Sequence, residues 1–470
     1  MRSRTGGCLA HFALALVTST SLAAKTPADK SIPDVFLEFV KPGEPGCTVG
    51  VVQNGALSHA LAFGVADLER GKPLDTHSIF NLASVSKQFT AFALLLLEQQ
   101  GKLKLDDPIA KHLPELAASS RGVTLRHLVH HTGGLRDYIE LLTMRGRGDA
   151  DGTTIHETML ALARQTKPNE APGVEYDYSN TGYFLLGVVI ARVSGQSLAE
   201  FSRQQIFEPL GMNNTSIVDR YPDGIAALAR GYAKSGKGFA IDETGWEQVG
   251  DGQVHSDLHD LALWDENFYT AKVGDRALVD RMYEVGLLNS GKSTDYAAGL
   301  NVDDKRGLRW VTHGGSWVGY RSNISRIPSE HFSVIVLCNR ADAETGSLAN
   351  SIAEIFLKDK LGPAEPEEDE EESAPVAAEW QPGDLSRYAG AYFGEEANAR
   401  CVLDERGGQL VLETCADGEE LKPGKPGEFV TESGWLSLRF PSGGKDADSF
   451  IYHSPGLRGL PFNRIKEPLE

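Results

Sequence analysis

The sequence predicts a mixed α/β domain whose sheet is assembled from distant parts of the chain, followed by a small β-domain. Cys47–Gln53 is a β-rich run, Asn54-Gly55 is a strong hairpin signal, and Ala56–Val65 returns as a second strand. Two further strand-like runs, Arg309–Arg326 and Phe332–Asn339, come near the far end of this domain. Helical patterns fill the interval, so strands from both ends are expected to meet in one sheet.

The helices of this domain are predicted from apolar residues at helical spacing. Four apolar residues within Phe80–Gly101 recur at that spacing, namely Phe89, Phe92, Ala93 and Leu96. Tyr183–Val193 is an apolar helix of a length suited to a protein core, and Gly195 ends it. Further helices are predicted at Thr154–Gln165, Ser197–Phe207, Leu258–Trp264 and Leu348–Lys358.

Composition separates the main domain, residues 32–361, from the C-terminal part of the chain. Residues 362–379 are expected to be an acidic, solvated linker, because seven acidic residues lie between Pro363 and Pro375. Residues 380–470 consist mainly of short alternating runs and glycine turns, which predict a small C-terminal β-domain.

The N-terminus matches a secretory signal peptide at residues 1–23. Arg2 and Arg4 precede an apolar stretch, Leu9–Val17, and small residues lead to a cleavage position after Ala23. A short membrane anchor is the alternative, but the apolar run is shorter than a bilayer span. We therefore expect a periplasmic or secreted protein that keeps no stable membrane span once the signal is removed.

The charge balance limits the classes of partner. The chain carries 46 basic and 65 acidic residues, for a formal net charge of −19. This excess of acid argues against nucleic acid and anionic lipid, since both attract basic surfaces. A small-molecule or peptide substrate is expected instead, and the oligomeric state stays open.

Four cysteines follow the predicted signal, at positions 47, 338, 401 and 415. An even number in an oxidising compartment is typical of disulfide bonds. Cys401 and Cys415 flank a turn at Arg406-Gly407-Gly408 almost symmetrically, so a cross-strand bridge between them is a hypothesis. The spacing of the cysteines does not suggest zinc, and neither a metal nor an organic cofactor is expected.

The first candidates for catalytic chemistry are Ser84 and Lys87. A spacing of three residues places both side chains on one face of the first turn of a helix. A lysine can activate a serine nucleophile when its neutral amine is populated, and a helix N-terminus offers backbone N–H groups to an oxyanion. The same spacing recurs at Ser442 and Lys445, in a glycine-rich turn with no helix after it, so the pattern needs context.

Two further motifs supply that context: Tyr178-Ser179-Asn180 and His313-Gly314-Gly315. With Ser84-Val85-Ser86-Lys87 before them, the chain resembles the serine β-lactamase and penicillin-binding protein superfamily, in its class C-like branch. That branch also holds DD-carboxypeptidases, D-aminopeptidases and esterases. The stretches LDDPIAKHLPE, LRHLVHHTGGL and YSNTGYFLLGVVIARVSG resemble it as well. The resemblance covers Ile32–Leu361 and implies an antiparallel sheet flanked by helices, with an all-helical subdomain.

The resemblance implies a role for each residue of the first two motifs. Ser84 would be the acylated nucleophile. Lys87 and Tyr178 would together be the acid/base pair, because the identity of the acylation base is disputed in this superfamily. Asn180 would orient both the substrate and Lys87.

The third motif and its neighbour supply the remaining candidate residues. His313 and Gly315 would bind or orient the substrate, and the backbone N–H groups of Ser84 and Ser316 would form the oxyanion hole. β-Lactamases have Lys-Thr-Gly where this chain has His313-Gly314-Gly315. A mostly neutral imidazole thus replaces a permanent cation, and recognition of a substrate carboxylate should weaken.

These features favour a secreted serine hydrolase that cleaves an ester or amide through an acyl-enzyme, of the esterase or D-amino-acid peptidase type. A DD-carboxypeptidase or penicillin-binding protein is the nearest alternative, and a β-lactamase is a weaker one. An alternative of another class is a catalytically slow protein that binds a cell-wall peptide.

Several other polar residues have a structural interpretation that we prefer. His131 heads a second H-x-G pattern, which we assign to a structural loop. His255, Asp257, His259 and Asp260 resemble a metal site in composition, but we assign them to the capped start of a helix.

Four aromatic residues and two cysteines complete the expectations for the main domain. Trp317 and Tyr320 either line the cleft or pack against the strand, whereas Trp246 and Trp264 are expected in the core. In the family the first and last strands of the sheet are neighbours, which makes a Cys47–Cys338 bridge a hypothesis.

The small β-domain also has two interpretations. We expect it to pack as a lid that narrows the cleft. A carbohydrate-binding module is the alternative.

Overall fold

The computed structural model describes residues 31–219, 225, 227–363, 383–416, 418–441 and 447–466. The predicted signal peptide, all but the first two residues of the predicted linker, and the second serine–lysine pattern at 442–445 lie outside these residues. Their boundaries and the predicted ends of the two domains stay predictions.

The α-helices of the described part are concentrated in the main domain. They are α1 (Ile32–Leu37), α2 (Lys87–Gln99), α3 (Leu125–Val129), α4 (Tyr138–Thr143), α5 (Ile155–Ala163), α6 (Asn180–Ser194), α7 (Leu198–Ser202), α8 (Glu208–Leu210), α9 (Leu258–Thr270), α10 (Arg276–Arg281) and α11 (Thr345–Leu357). A 3₁₀ turn, Ala83–Ser86, leads directly into α2, and a π-helical turn, Arg203–Phe207, joins α7 to α8.

The strands of the main domain are β1 (Cys47–Gln53), β2 (Ala56–Phe63), β3 (Val65–Asp67), β4 (Lys72–Pro73), β5 (Phe80–Asn81), β6 (Ser216–Ile217), β7 (Tyr232–Ser235), β8 (Gly238–Ile241), β9 (Val254–Ser256), β10 (Asn301–Lys305), β11 (Leu308–Trp317), β12 (Tyr320–Ile327) and β13 (Phe332–Cys338). The C-terminal domain contains β14 (Gly390–Gly394), β15 (Ala399–Arg406), β16 (Gln409–Leu412), β17 (Glu419–Pro423), β18 (Glu428–Thr431), β19 (Ser437–Arg439), β20 (Ser449–His453) and β21 (Leu460–Arg464).

A six-stranded antiparallel sheet joins the two ends of the main domain, in the order β10-β11-β12-β13-β1-β2. β1 and β13 are interior strands of this sheet, and all of their residues except Gln53 are buried. Cys47 lies opposite Cys338 in this pair, and the two form a disulfide bond. The prediction of a mixed α/β fold with an antiparallel sheet is therefore confirmed.

One predicted strand is wrong, because Arg309–Arg326 is two strands of a hairpin. β11 ends at Trp317, and β12 begins at Tyr320 after a two-residue turn. Val318 adopts a φ of 40° in that turn. A valine in the left-handed region is uncommon. The residues on both sides of the turn are apolar, so the composition of the segment does not indicate a break between two strands.

β10 pairs with the first half of β11 but not with its second half. β10 pairs with Leu308–Thr312 only. The outer edge of Gly314–Trp317 therefore has no strand partner among the described residues, although its inner edge pairs with β12.

The C-terminal β-domain is a closed barrel of β14 to β21, in which each strand pairs with the next along the chain and β21 returns to β14. Aromatic rings fill its interior, including those of Tyr392, Phe440, Phe450 and Phe462. The predicted small β-domain is confirmed. Cys415 lies beyond the end of β16, so its disulfide with Cys401 joins a strand to a loop.

A loop between β20 and β21, residues 454–459, fixes the barrel to the main domain. Ser454 Oγ and Gly456 N–H both donate hydrogen bonds to the Glu140 carboxylate. The Arg458 guanidinium pairs with Glu175 and lies 3.5 Å from an Asp177 carboxylate oxygen. Both segments contacted border the large cleft beside β11, so the barrel lies against its rim.

The described residues contain one segment pair with the length and composition of a membrane span. There no single helix is long and apolar enough to cross a bilayer, and one bent pair, α6 with Leu198–Leu210, reaches that length and composition only when both parts are combined.

Candidate active site

Lys87 is the centre of the polar cluster at the start of α2. It is fully buried, and its Nζ donates three hydrogen bonds, one to the preceding turn and two to distant segments of the chain. The acceptors are Ser84 Oγ at 3.1 Å, Asn180 Oδ1 at 2.9 Å and the backbone carbonyl of Asp251 at 2.9 Å. The structure thus brings Ser84, Lys87 and Asn180 together, as the sequence motifs predicted.

The geometry around Nζ suits both protonation states of the amine. As an ammonium, Lys87 donates one proton to each of its three acceptors. As a neutral amine, it can keep two donations, to Asn180 and to the Asp251 carbonyl, and turn its lone pair toward the Ser84 hydroxyl. A proton can therefore pass between Ser84 Oγ and Lys87 Nζ while the other two contacts hold the amine in place.

Ser84 lies in the 3₁₀ turn before α2 rather than in the first α-helical turn itself. Ala83 next to it has a φ of 47°, and its N–H donates to Asn81 Oδ1 at 2.8 Å. A non-glycine residue in this conformation is strained, and the buried Asn81 side chain helps to hold it. The turn fixes the Ser84 hydroxyl at the mouth of the cleft.

β11 passes against this turn at Gly315. A Cβ there would collide with the Leu82 carbonyl oxygen and lie 3.1 Å from Ala83 Cβ. Only glycine lets the strand come this close, and the next residue, Ser316, is thereby placed beside the turn that carries Ser84. An oxyanion hole from the N–H groups of Ser84 and Ser316 stays a prediction that this placement favours.

Tyr178 lies directly above the amine. Its ring centroid is 4.9 Å from Lys87 Nζ, and its side chain is 40% exposed, so a substrate can reach it. His131 supports this segment from below: its ring packs 4.2 Å from that of Tyr178, and its Nδ1 accepts the N–H of Ser179 at 3.0 Å. The structural assignment of the His131 loop fits these contacts.

His313 is a neutral, buried imidazole. Nδ1 lies 2.6 Å from the Gly314 carbonyl, which can only accept, so Nδ1 carries the proton. Nε2 then accepts from the Tyr296 hydroxyl at 2.9 Å. Burial, with a smaller effect of the Lys87 charge, lowers the pKa of His313 to about 4. The imidazole therefore offers no positive charge to a substrate carboxylate at neutral pH.

A cleft of about 740 Å³ connects these groups. All predicted site residues except the deeper Lys87 line it, namely Ser84, Tyr178, Asn180, His313, Gly315 and Ser316. Trp246 and Trp317 line it as well, whereas Trp264 and Tyr320 are buried in the core. The expectation that Trp246 belongs only to the core is therefore incomplete.

Sequence reasoning missed two groups that hold the site. Asp251 accepts a hydrogen bond from Lys87 through its backbone carbonyl, which every residue type has. Tyr296 contributes its hydroxyl to His313, and its own ring is fully buried. The sequence around each of them carries no motif that distinguishes it from ordinary core positions.

The group of histidines and aspartates near α9 has structural partners. The Asp257 side chain caps α9 by accepting the N–H of Asp260. Asp260 accepts from Thr215, and His255 Nδ1 lies 3.1 Å from the Gln253 carbonyl. Within the described ranges, no group of three or more histidines, cysteines or carboxylates is arranged to hold a metal ion.

Comparison with known proteins places this site in a family. The model of the family described as Beta-lactamase matches residues 32–355. Penicillin-binding protein 4* of Bacillus subtilis is 31% identical over 434 residues, covering 87% of this chain and 93% of that relative. A D-aminopeptidase of Brucella anthropi is 30% identical over 301 residues, covering 63% of this chain but only 56% of that relative.

A solved structure shows the same fold over most of the chain. The octameric penicillin-binding protein homologue from Pyrococcus abyssi superposes with a TM-score of 0.60 at 22% identity, covering 89% of this chain and 96% of that one. The family match, which covers more than half of the chain, agrees with the sequence motifs and with the cluster around Lys87. The chain belongs to the beta-lactamase family and is a serine hydrolase.

Proposed function

We propose that this protein is a secreted hydrolase that cleaves amide bonds next to a D-amino acid residue through an acyl-enzyme at Ser84. The proposal rests on the three hydrogen bonds of Lys87 Nζ. Two of them hold the amine in place, and the third joins it to the Ser84 hydroxyl. The D-amino acid is taken from the Brucella anthropi relative, which is a D-aminopeptidase.

The proposed mechanism assigns one step to each side chain of this site. Ser84 Oγ attacks the substrate carbonyl carbon while its proton passes to Lys87 Nζ. The resulting oxyanion is stabilised by the N–H groups of Ser84 and Ser316. Tyr178 relays that proton from Lys87 Nζ to the leaving amine as the C–N bond breaks. Water then attacks the acyl carbonyl and gives up a proton along the reverse path, and this proton returns to Ser84 Oγ as the acid is released.

The neutral His313 bears on the choice of substrate. Without a permanent cation at this position, a free carboxylate on the leaving side loses an attractive partner. An amino acid amide or an ester lacks that carboxylate, so such substrates fit better than a β-lactam or a D-Ala-D-Ala terminus. This argument favours the aminopeptidase, amidase or esterase type.

A DD-carboxypeptidase is the second candidate. It is favoured by the match to penicillin-binding protein 4*, which extends over 93% of that relative and so includes more than the catalytic domain.

Secretion is part of the proposal. The signal-like residues 1–23 and two disulfide bonds in the described part of the chain support an oxidising compartment. Expression of the full chain and N-terminal sequencing of the product should give a mature protein that starts after Ala23. A product that stays in the cytoplasm with its N-terminus intact would contradict secretion.

The activity is tested with matched substrates and variants. We expect the mature protein to hydrolyse D-alanine p-nitroanilide faster than its L-enantiomer, and Ser84→Ala to abolish this turnover. Ser290→Ala, which alters an exposed loop serine, should retain it. Full activity of Ser84→Ala would reject the acyl-enzyme.

Labelling separates the two candidates. Two results together would favour the carboxypeptidase. The protein would release D-alanine from an N-acylated D-Ala-D-Ala peptide, and intact mass measurement would detect a stable penicillin adduct on Ser84. Absence of labelling and of turnover with every substrate would instead favour a binding protein.

A further inference from the structure

The cleft has two ends that are defined by the direction of β11. His313, Gly315 and Trp317 lie on one face of the strand, because side chains alternate along it. At a rise of about 3.3 Å per residue, His313 and Trp317 are about 13 Å apart. Gly315 between them is the point of closest approach to the turn that carries Ser84. The nucleophile is therefore central, with His313 and Tyr178 at one end and Trp317 at the other.

The Trp317 end is walled by aromatic rings. The ring of Trp246 meets that of Trp317 edge to face, with centroids 5.6 Å apart and an interplanar angle of 64°. The ring of Tyr138 lies 6.1 Å from that of Trp246. These three residues line the cleft together with Ile139, which is partly exposed.

The side-chain polar groups of Trp246, Tyr138 and Gln248 are engaged in hydrogen bonds within the protein. Trp246 Nε1 donates to the Gly148 carbonyl at 2.9 Å, and the Tyr138 hydroxyl donates to Asp251 Oδ2 at 2.7 Å. The Gln248 amide is used by threonines behind it, at 2.7 Å to Thr158 and 3.1 Å to Thr153. The wall formed by Trp246, Tyr138 and Ile139 therefore presents mainly ring and alkyl surface to a ligand.

A chain of hydrogen bonds couples this wall to the nucleophile. Gln253 Nε2 donates to the Trp246 carbonyl at 2.9 Å, and Gln253 Oε1 accepts from Asn81 Nδ2 at 2.8 Å. Asn81 Oδ1 in turn holds the N–H of Ala83, next to Ser84. The aromatic wall is thus fixed relative to the reacting atoms, as a specificity pocket must be.

We propose that Trp246 and Trp317, with Tyr138 and Ile139, form the subsite for an aromatic side chain on the acyl side of the scissile bond. The assignment to the acyl side rests on the proposed function, in which Tyr178 at the other end serves the leaving group. A third ring placed against an edge-to-face pair gains both apolar burial and favourable ring geometry. The preferred substrates are then amides or esters of phenylalanine-like acids rather than of alanine or acetate.

Two esters with the same leaving group test the subsite. The ratio of kcat/KM for p-nitrophenyl phenylacetate to that for p-nitrophenyl acetate, corrected for alkaline hydrolysis, is expected to be about tenfold or more in the natural protein. Trp317→Ala should lower this ratio about tenfold, and Trp246→Ala should do the same. Trp435→Ala, which removes an exposed barrel tryptophan, is the matched control and should leave the ratio as it was.

The ratio is insensitive to the fraction of folded enzyme, because both esters report on the same preparation. Trp317 is partly exposed, so Trp317→Ala keeps the test usable if Trp246→Ala fails to fold. A ratio near one in the natural protein, or a high ratio that survives Trp317→Ala, would overturn the proposal.

A high ratio that falls in Trp317→Ala supports the subsite even if neither D-alanine nor D-phenylalanine p-nitroanilide is cleaved. In that case the D-amino acid proposal fails alone. Cleavage of both anilides at equal rates would support the D-amino acid proposal and overturn the subsite.

Discussion

Two polar clusters in this protein, one buried and one partly buried, differ in how their charges are balanced. Around Lys87, one cation meets three oxygens, each from a different segment of the chain. Every N–H of the ammonium has an acceptor, so burial leaves no polar hydrogen unsatisfied.

The second cluster lies under the barrel loop 454–459 and contains Asp137, Glu140 and Asp177. Burial raises the pKa of Glu140 to about 7, and the nearby Asp137 carboxyl adds to this effect. Burial likewise raises the pKa of Asp137 to about 6. The pKa of Asp177 is also raised by burial, although Arg458 opposes that shift.

This difference in charge balance separates a cluster that bears on the reaction from one that bears on the contact between the two domains. In the Lys87 cluster, the hydrogen bond between Ser84 and Lys87 gives a proton a path between two groups. In the carboxyl cluster, groups of like charge are crowded where the barrel meets the rim of the cleft, so their ionisation acts on the contact between domains. Substitutions that alter one cluster at a time can test this difference.

Lys87→Met removes the cation and leaves its three acceptors without a donor. We expect kcat/KM to fall by about 10³-fold, because general base catalysis is lost. Lys111→Met removes an exposed lysine with one ion pair. Its kcat/KM should stay within about twofold of the natural value, as expected for a surface change. Initial rates with p-nitrophenyl acetate measure both, and near-normal rates in Lys87→Met would refute the assigned role.

Gly456→Ala tests the fit of the barrel loop. A Cβ at this position would lie 2.5 Å from Glu140 Oε1 and 2.7 Å from Asp137 Cβ. We expect a loss of about 2 kcal/mol in the free energy of unfolding, the usual cost of overpacking. Gly238→Ala, with nothing within 4 Å of its Cβ, is the control in the same denaturant titration. Equal stability of the two variants would show that the loop is not clamped.

Glu140→Gln tests the pH dependence of the same contact. The folded carboxyl keeps its proton up to a pKa of about 7, whereas the unfolded one ionises near 4.5. The folded state therefore binds more protons between these values, and stability falls as pH rises through that window. We expect the natural protein to lose about 1–2 kcal/mol more than Glu140→Gln between pH 4.5 and 7.5. Parallel stability curves would contradict the predicted coupling.

Arg458→Gln should have the smallest effect. Arg458 is partly exposed and pairs with Glu175 and Asp177, next to Tyr178. Ion pairs of this exposure contribute up to about 1 kcal/mol, so kcat/KM should fall by about twofold to fivefold. The decrease should shrink in high salt. A loss that is independent of salt would point to packing rather than charge.

Local patterns made much of the fold predictable. The hairpin of β1 and β2 and the helices α2 and α6 each follow from residues that are neighbours in sequence. The candidate catalytic residues were predicted because three short motifs occur in a fixed order. Ser84, Lys87 and Asn180 then proved to be in direct contact.

The features that were missed depend on backbone atoms or on distant contacts. The turn at Val318-Gly319 is flanked by the aromatic residues Trp317 and Tyr320 and has only one typical turn residue, so β11 and β12 were taken as one strand. Asp251 contributes through a carbonyl that every residue possesses. Closure of the barrel between β14 and β21 depends on a pairing that neither strand records alone.

The Cys47–Cys338 bond has a consequence for the integrity of the enzyme. The bond closes residues 47–338 into one covalent ring, and the barrel follows this ring in the sequence. The ring contains Ser84, Lys87, Tyr178, Asn180, His313 and Ser316. The loop at 145–152 is largely exposed and lies between the first and second motifs. A protease that cut it would divide the candidate catalytic residues between two fragments, yet the fragments would remain covalently joined until a reductant cleaved the disulfide bond.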